Sequence, residues 1–220
     1  MKFSGLITSL LLLTTAASAQ STFISLETSK GDILVKLYDK TPLHRDNMVS
    51  GIRKGWWKSA LFNRVIKDFV SQAGELDDPI LEREKQHPDR KPERLKSELF
   101  PELYHFKGAL GAGRDDNAQK ASFLNQIYLV TGKKQTDIQL DEIESKKGFK
   151  YTPEQRETYK SKGGIPRLDG DYTIFGEIVK GMEVANEINQ VKTDKHDLPE
   201  VPVVINARVL TAKAAAKLLN

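Results

Sequence analysis

Arg64 stands in an apolar run, Phe62-Asn63-Arg64-Val65-Ile66, which leads into Phe69-Val70-Ser71-Gln72-Ala73-Gly74. The bulky members of this stretch favour a β-strand. A charge among them is costly unless it is paired or faces a cleft. Gln72 adds a neutral donor and acceptor shortly afterwards. Such a set offers hydrogen bonding from a permanent cation and an amide, not nucleophilic attack. The competing reading is an edge-strand arginine that lies over apolar surface with its head in water.

Other chemistries find little support. There are no cysteines, which excludes thiol catalysis and disulfides. His87 and His105 lack the spacing of a metal site, so no metal and no cofactor are expected. Gly108-Ala109-Leu110-Gly111-Ala112-Gly113-Arg114 is glycine-rich, but it lacks the Lys-Ser/Thr ending of a phosphate loop. Its small residues suit close approach of a bound peptide. No carboxylate or histidine stands out as the centre of a hydrolase.

The elements that must position these residues alternate between strand and helix patterns. Thr22 to Glu27 and Ile33 to Tyr38 form a hairpin about Ser29-Lys30-Gly31-Asp32. Thr41-Pro42 reads as a helix N-cap and first residue, with the helix ending at Gly55. His44 is expected on its surface. Trp56 and Trp57 are expected where helix meets sheet, the alternative being an exposed aromatic patch. Residues 75–106 are long and charged, with a helical turn at Leu81 to Lys85 and an irregular stretch from His87. Gln126 to Val130 is a strand that puts Gln126 and Tyr128 on one face and Ile127 on the other. Residues 133–167 read as a charged helical pair on the surface, the second helix opened by the capping box Thr152-Pro153-Glu154-Gln155. A strand from Thr173, a helix over Gly181 to Asn189 and a strand over Val203 to Leu210 follow. Ala212 to Leu218 is a short tail, helical at most.

The chain has 220 residues, 39% hydrophobic and 29% charged, with a net charge of +4. That describes one ordinary domain, neither disordered nor membrane-embedded, and the charge is too mild to argue for nucleic acid. Met1 to Ala19 has a short basic start, an apolar core at Leu6 to Leu13 and a small-residue site, Ala17-Ser18-Ala19. The apolar core is too short to span a bilayer, so stable membrane insertion is not expected. The segment reads as a removable signal peptide, with the mature chain over residues 20–220 and insertions at about 75–106 and 133–167. An exported protein, periplasmic or secreted, is expected.

The stretch around Arg64 resembles the cyclophilin signature, in which Phe-His-Arg-Val-Ile is followed by Phe-x-x-Gln-x-Gly. Lys107-Gly108-Ala109-Leu110, Gln126-Ile127-Tyr128-Leu129-Val130, and Leu168-Asp169-Gly170 leading into Thr173-Ile174-Phe175-Gly176 match further pieces in the same order. The resemblance covers roughly Ile24 to Leu210. It implies a mainly β fold, a closed antiparallel barrel capped by two helices, with a helical insertion here. It also implies peptidyl-prolyl cis-trans isomerase activity on proline-containing polypeptides. In that mapping Arg64 faces the prolyl nitrogen, Gln72 the substrate backbone, and Phe69, Tyr128 and Leu168 the proline ring. Ala112 and Gly113 fall on the neighbouring subsite, Gln126 beside them, and Tyr172 replaces the pocket histidine.

The departures from the family pattern are chemically meaningful. Asn63 replaces the histidine before the arginine, and Ile127-Tyr128 replaces Phe-Phe. The proline floor therefore carries a hydroxyl that needs a partner when buried. Val70 and Ala112 replace two methionines and loosen the expected fit to proline. Arg167 replaces the tryptophan before Leu-Asp-Gly, which argues against tight cyclosporin binding. Two readings follow: an isomerase acting on exported proteins as they fold, or a barrel that binds proline segments, or acts as a chaperone, with little catalysis.

Overall fold

The computed structural model describes residues 21–219; the expected signal peptide lies outside them. Eight strands form a closed barrel: β1 (Thr22–Thr28), β2 (Gly31–Leu37), β3 (Ala60–Ile66), β4 (Val70–Gly74), β5 (Ala109–Ala112), β6 (Gln126–Val130), β7 (Ile174–Lys180) and β8 (Val203–Leu210). Their order around the barrel is β1-β2-β7-β5-β6-β4-β3-β8, and neighbouring strands pair antiparallel. Closure leaves no sheet edge unpaired. Alternation along each strand sends one set of side chains inward and the other outward. The inward set includes Ile24, Val35, Phe62, Val65, Leu110, Ile127, Leu129 and Ile205. An outward set on one side of the barrel forms a second cluster of Val70, Ala109, Tyr128, Val130, Ile165 and Ile174.

Helices α1 (Pro42–Arg53) and α5 (Met182–Asn189) pack against the barrel through Met48, Ala185 and Ile188. Trp57 is buried beside them, whereas Trp56 is 38% exposed with Lys54 Nζ 5.1 Å from its ring centroid. Thr41 and Pro42 hold the N-cap and first helical positions of α1, as expected, but the Thr41 side chain makes no cap bond; its hydroxyl donates to the Tyr38 carbonyl. Instead the Glu98 carboxylate, from the first insertion, accepts the Leu43 and His44 backbone N–H groups at 3.1 and 3.0 Å. A carboxylate at a helix N-terminus satisfies orphan donors and complements the dipole. His44 is not a surface residue but is 1% exposed, because its ring joins Glu98 at 2.7 Å and Ser122 at 3.0 Å.

Both segments expected as insertions carry helices packed onto the rest of the fold. The first contains a full helix, α2 (Asp77–Gln86), where only a turn was expected. It is tied down by Arg94, which pairs with Glu84 and Asp115 and lies 4.4 Å over the Phe123 ring. The second carries α3 (Asp137–Lys147) and α4 (Pro153–Ser161), both opened by capping boxes, at Thr136 and Thr152. Leu140, Tyr151 and Tyr159 form their own buried cluster. The chain then regains the barrel through backbone bonds between residues 105–107 and 163–165. The tail is helical, α6 (Ala212–Leu219).

Candidate active site

A register shift between Phe62 and Arg64 leaves Asn63 as an extra residue opposite β4. Strict alternation would place Phe62 and Arg64 on the same side. The bulge separates them: Phe62 and Val65 enter the core while Arg64 faces outward, 41% exposed at its side chain. A bulge that re-aims one side chain in this way is a recurrent active-site device. Asn63 is 8% exposed and its amide donates to the Gly74 carbonyl.

Register then lines up the site. Arg64 lies opposite Gln72 on β4, and Gln72 opposite Tyr128 on β6, so the three form a row across the outer barrel surface. Tyr128 in turn lies opposite Gly111 on β5. A Cβ on Gly111 would sit 2.1 Å from Tyr128 Cζ, so the absent side chain is what admits the ring. Arg64, Phe69, Gln72, Gly113, Gln126, Tyr128, Leu168 and Tyr172 line one groove of about 570 Å³. Of the nine residues expected at the site, these eight come together. Ala112 does not: it points inward, 3% exposed, among the barrel core residues. Alternation along β5 aims Gly111 at the groove instead.

Several groove residues contact neighbouring charged or polar groups. Arg64 Nε lies 3.8 Å from Asp197 Oδ2, and both side chains are about two-fifths exposed. The Asp197 carbonyl also accepts the Val65 N–H at 2.8 Å, fixing β3 to the loop before β8. The Arg167 guanidinium lies 4.3 Å over Phe69. That of Arg114 lies 4.6 Å over Tyr172, and its Nε donates to the Asp171 carbonyl at 2.7 Å. Gln126 Nε2 donates to the Glu75 carbonyl at 2.8 Å and to Asp77 Oδ1 at 2.6 Å, linking the groove to α2. Gly113 leaves the space that this amide fills, since a Cβ there would meet Gln126 Oε1 at 1.7 Å.

The Tyr128 hydroxyl, which had to find a partner, meets His105 Nε2 at 2.8 Å. Burial pushes this phenol well above its ordinary value, with Tyr172 and Asp169 adding to the effect, so it stays protonated. His105, Asp197 and Arg114 were not among the expected site residues. Only the burial of a tyrosine hydroxyl signalled that a partner such as His105 must exist.

The profile of the family described as "Cyclophilin type peptidyl-prolyl cis-trans isomerase/CLD" matches residues 23–209. The chain belongs to the cyclophilin family. It is 26% identical over 202 residues to peptidyl-prolyl cis-trans isomerase A of Dickeya dadantii, spanning 90% of this chain and 88% of that protein. It is 24% identical over 199 residues to the Acinetobacter baylyi peptidyl-prolyl cis-trans isomerase, spanning 88% of each. Among solved structures, a Cryptosporidium parvum cyclophilin crystallised in the presence of the dipeptide Ala-Pro superposes with a TM-score of 0.61 at 18% identity. That match covers 86% of this chain and 99% of the other, so the barrel is common to both. This cyclophilin is a peptidyl-prolyl cis-trans isomerase.

Proposed function

We propose that the groove binds an X-Pro segment of a polypeptide with the proline ring against Phe69, Tyr128, Leu168 and Tyr172, and that Arg64 stabilises the twisted amide. The observation that carries this reading is the row Arg64, Gln72, Tyr128, which sets a cation, an amide and an apolar floor side by side on one face. Rotation about a peptide bond faces a barrier of about 18–20 kcal/mol. No bond breaks, so no nucleophile or base is needed. The enzyme must bind the twisted amide better than either planar form. At the twist, conjugation is lost and the prolyl nitrogen gains a lone pair. A guanidinium N–H aimed at it makes a bond that the planar amide does not offer. Gln72 hydrogen-bonds the substrate backbone next to Arg64 and fixes the axis of rotation.

Arg64 is free to do this because its Asp197 partner is distant and solvated, and an exposed ion pair of that kind contributes at most about 1 kcal/mol. A charge-assisted hydrogen bond contributes roughly 1.5–3 kcal/mol, which is about one to two decades of rate. The remainder comes from the preorganised apolar pocket. Arg64→Ala is expected to lower kcat for cis-to-trans relaxation of a short Ala-Pro peptide by about 10- to 100-fold while the protein stays folded. A variant with the wild-type rate would move the chemistry away from Arg64.

The clients are exported proteins. The leader-like pattern of Met1 to Ala19 and the absence of cysteine support this assignment. N-terminal sequencing of the protein from envelope and medium fractions is expected to read from Gln20. An intact Met1 in a cytoplasmic fraction would reject export.

A further inference from the structure

We propose that His105 is a positioning residue for substrate binding, acting through Tyr128, and that Asp169 and two tyrosines of the 133–167 segment hold His105 in turn. The inference rests on the assignment of Tyr128 to the proline floor. His105 is 0% exposed and cannot touch a substrate in the groove. Both of its ring nitrogens are engaged, Nδ1 with Asp169 Oδ1 at 2.6 Å and Nε2 with the Tyr128 hydroxyl at 2.8 Å.

The hydrogen-bond pattern sets the directions. A carboxylate only accepts, so Nδ1 carries the proton facing Asp169. In the neutral ring Nε2 is then an acceptor and Tyr128 donates to it. Asp169 is saturated: Oδ1 also accepts the His105 backbone N–H at 2.7 Å, and Oδ2 accepts the hydroxyls of Tyr151 at 2.7 Å and Tyr159 at 2.5 Å. Burial, reinforced by Asp169, raises both phenols above their ordinary value, so they remain donors. The chain of bonds thus runs from α4 and the loop before it, through the 168–171 turn, to the floor of the groove. That turn also carries Leu168, and Tyr172 follows it. The Tyr172 ring stands edge-on to both Tyr128 and His105, at 6.2 and 6.4 Å. Fully satisfied buried polar networks of this kind rigidify what they hold.

The kinetic signature differs from that of Arg64. A floor contact is made alike with the cis, trans and twisted substrate. Loosening it therefore removes uniform binding, raising KM and leaving kcat unchanged. Loss of folded protein would instead lower kcat at constant KM.

The experiment measures kcat and KM for a short Ala-Pro peptide in wild type, Tyr128→Phe, His105→Leu, His105→Gln and the Tyr128→Phe/His105→Leu double variant. Thermal melts establish the folded fraction of each. Tyr128→Phe keeps the ring and the fold, and is expected to raise KM about 3- to 10-fold, the range of one lost hydrogen bond. His105→Leu should do the same, and the double variant should be no worse than the worse single variant, because the two residues act as one unit. His105→Gln, which keeps a donor and an acceptor, should recover at least half of the loss. An unchanged KM in Tyr128→Phe overturns the proposal by itself, whether or not His105→Leu folds. Multiplying effects in the double variant, or a fall in kcat alone, also overturn it. Arg64→Ala run alongside separates the two claims: its loss of kcat upholds the groove assignment even where Tyr128→Phe behaves as wild type.

Discussion

A regularly alternating strand would drive Arg64 into the barrel behind Phe62. The extra residue, Asn63, prevents this, and its amide closes the bulge by donating to the Gly74 carbonyl. A glycine does comparable work on the other side of the groove. With 2.1 Å between a Gly111 Cβ and Tyr128 Cζ, Gly111→Ala forces the ring or the strand to move. Overpacking costs typically about 1–3 kcal/mol. The expected outcome is a destabilisation of that size in urea unfolding, together with a raised KM for a prolyl peptide. Unchanged unfolding and kinetics would show that the ring yields freely and that its position is not critical.

Among the elements, the 133–167 segment with α3 and α4 is bonded to the turn beside the groove. Lys147, at the end of α3, donates to the Asp169 carbonyl at 2.6 Å and pairs with Asp171. Tyr151 and Tyr159 reach Asp169 itself. The helices are short and depend on their caps. Thr152→Ala removes the α4 capping box and is expected to cost about 1 kcal/mol. Amide exchange should then speed up across α3 and α4 while the barrel strands keep their protection. Uniform acceleration throughout the chain would mean that insertion and barrel unfold as one unit.

Over the whole molecule, stability is expected to fall on acidification in two stages. Burial lowers the His44 imidazole below its ordinary 6.5, although the Glu98 contact opposes the shift. The folded state therefore binds that proton less readily than the unfolded chain. Its contribution is complete above about pH 6.5 and is lost as pH falls through the lowered folded value. Glu144 and Asp171 behave in the same sense at lower pH. Burial would raise both, but Lys150, the Tyr151 N–H and Arg156 outweigh it at Glu144, as Lys120 and Lys147 do at Asp171. Their contribution is complete above their ordinary values of 4.5 and 3.8 and is lost below them. Urea midpoints measured against pH should decline through both windows. The upper decline should shrink in His44→Gln, and an equal decline there would assign it to another group.

Local patterns determined much of this protein. The order Phe-x-Arg, Phe-x-x-Gln-x-Gly, Gln-x-Tyr and Leu-Asp-Gly named the family, the barrel and six residues that line the groove, because each motif is a short run whose side chains share a strand face or a turn. The capping box at Thr152 and the inward turn of Ile127 were legible for the same reason. What the sequence left open depends on partners far apart in the chain. Ala112 looked like a subsite residue, but only the strand register decides which side of β5 faces the groove. The α1 cap comes from Glu98, and the burial of His44 from Glu98 and Ser122, none of which is near in sequence. His105 meets Tyr128 and Asp169 across 23 and 64 residues. A hydroxyl's need for a partner can be read from its residue type, but the identity of that partner is set only when the closed barrel and the insertion bring the two together.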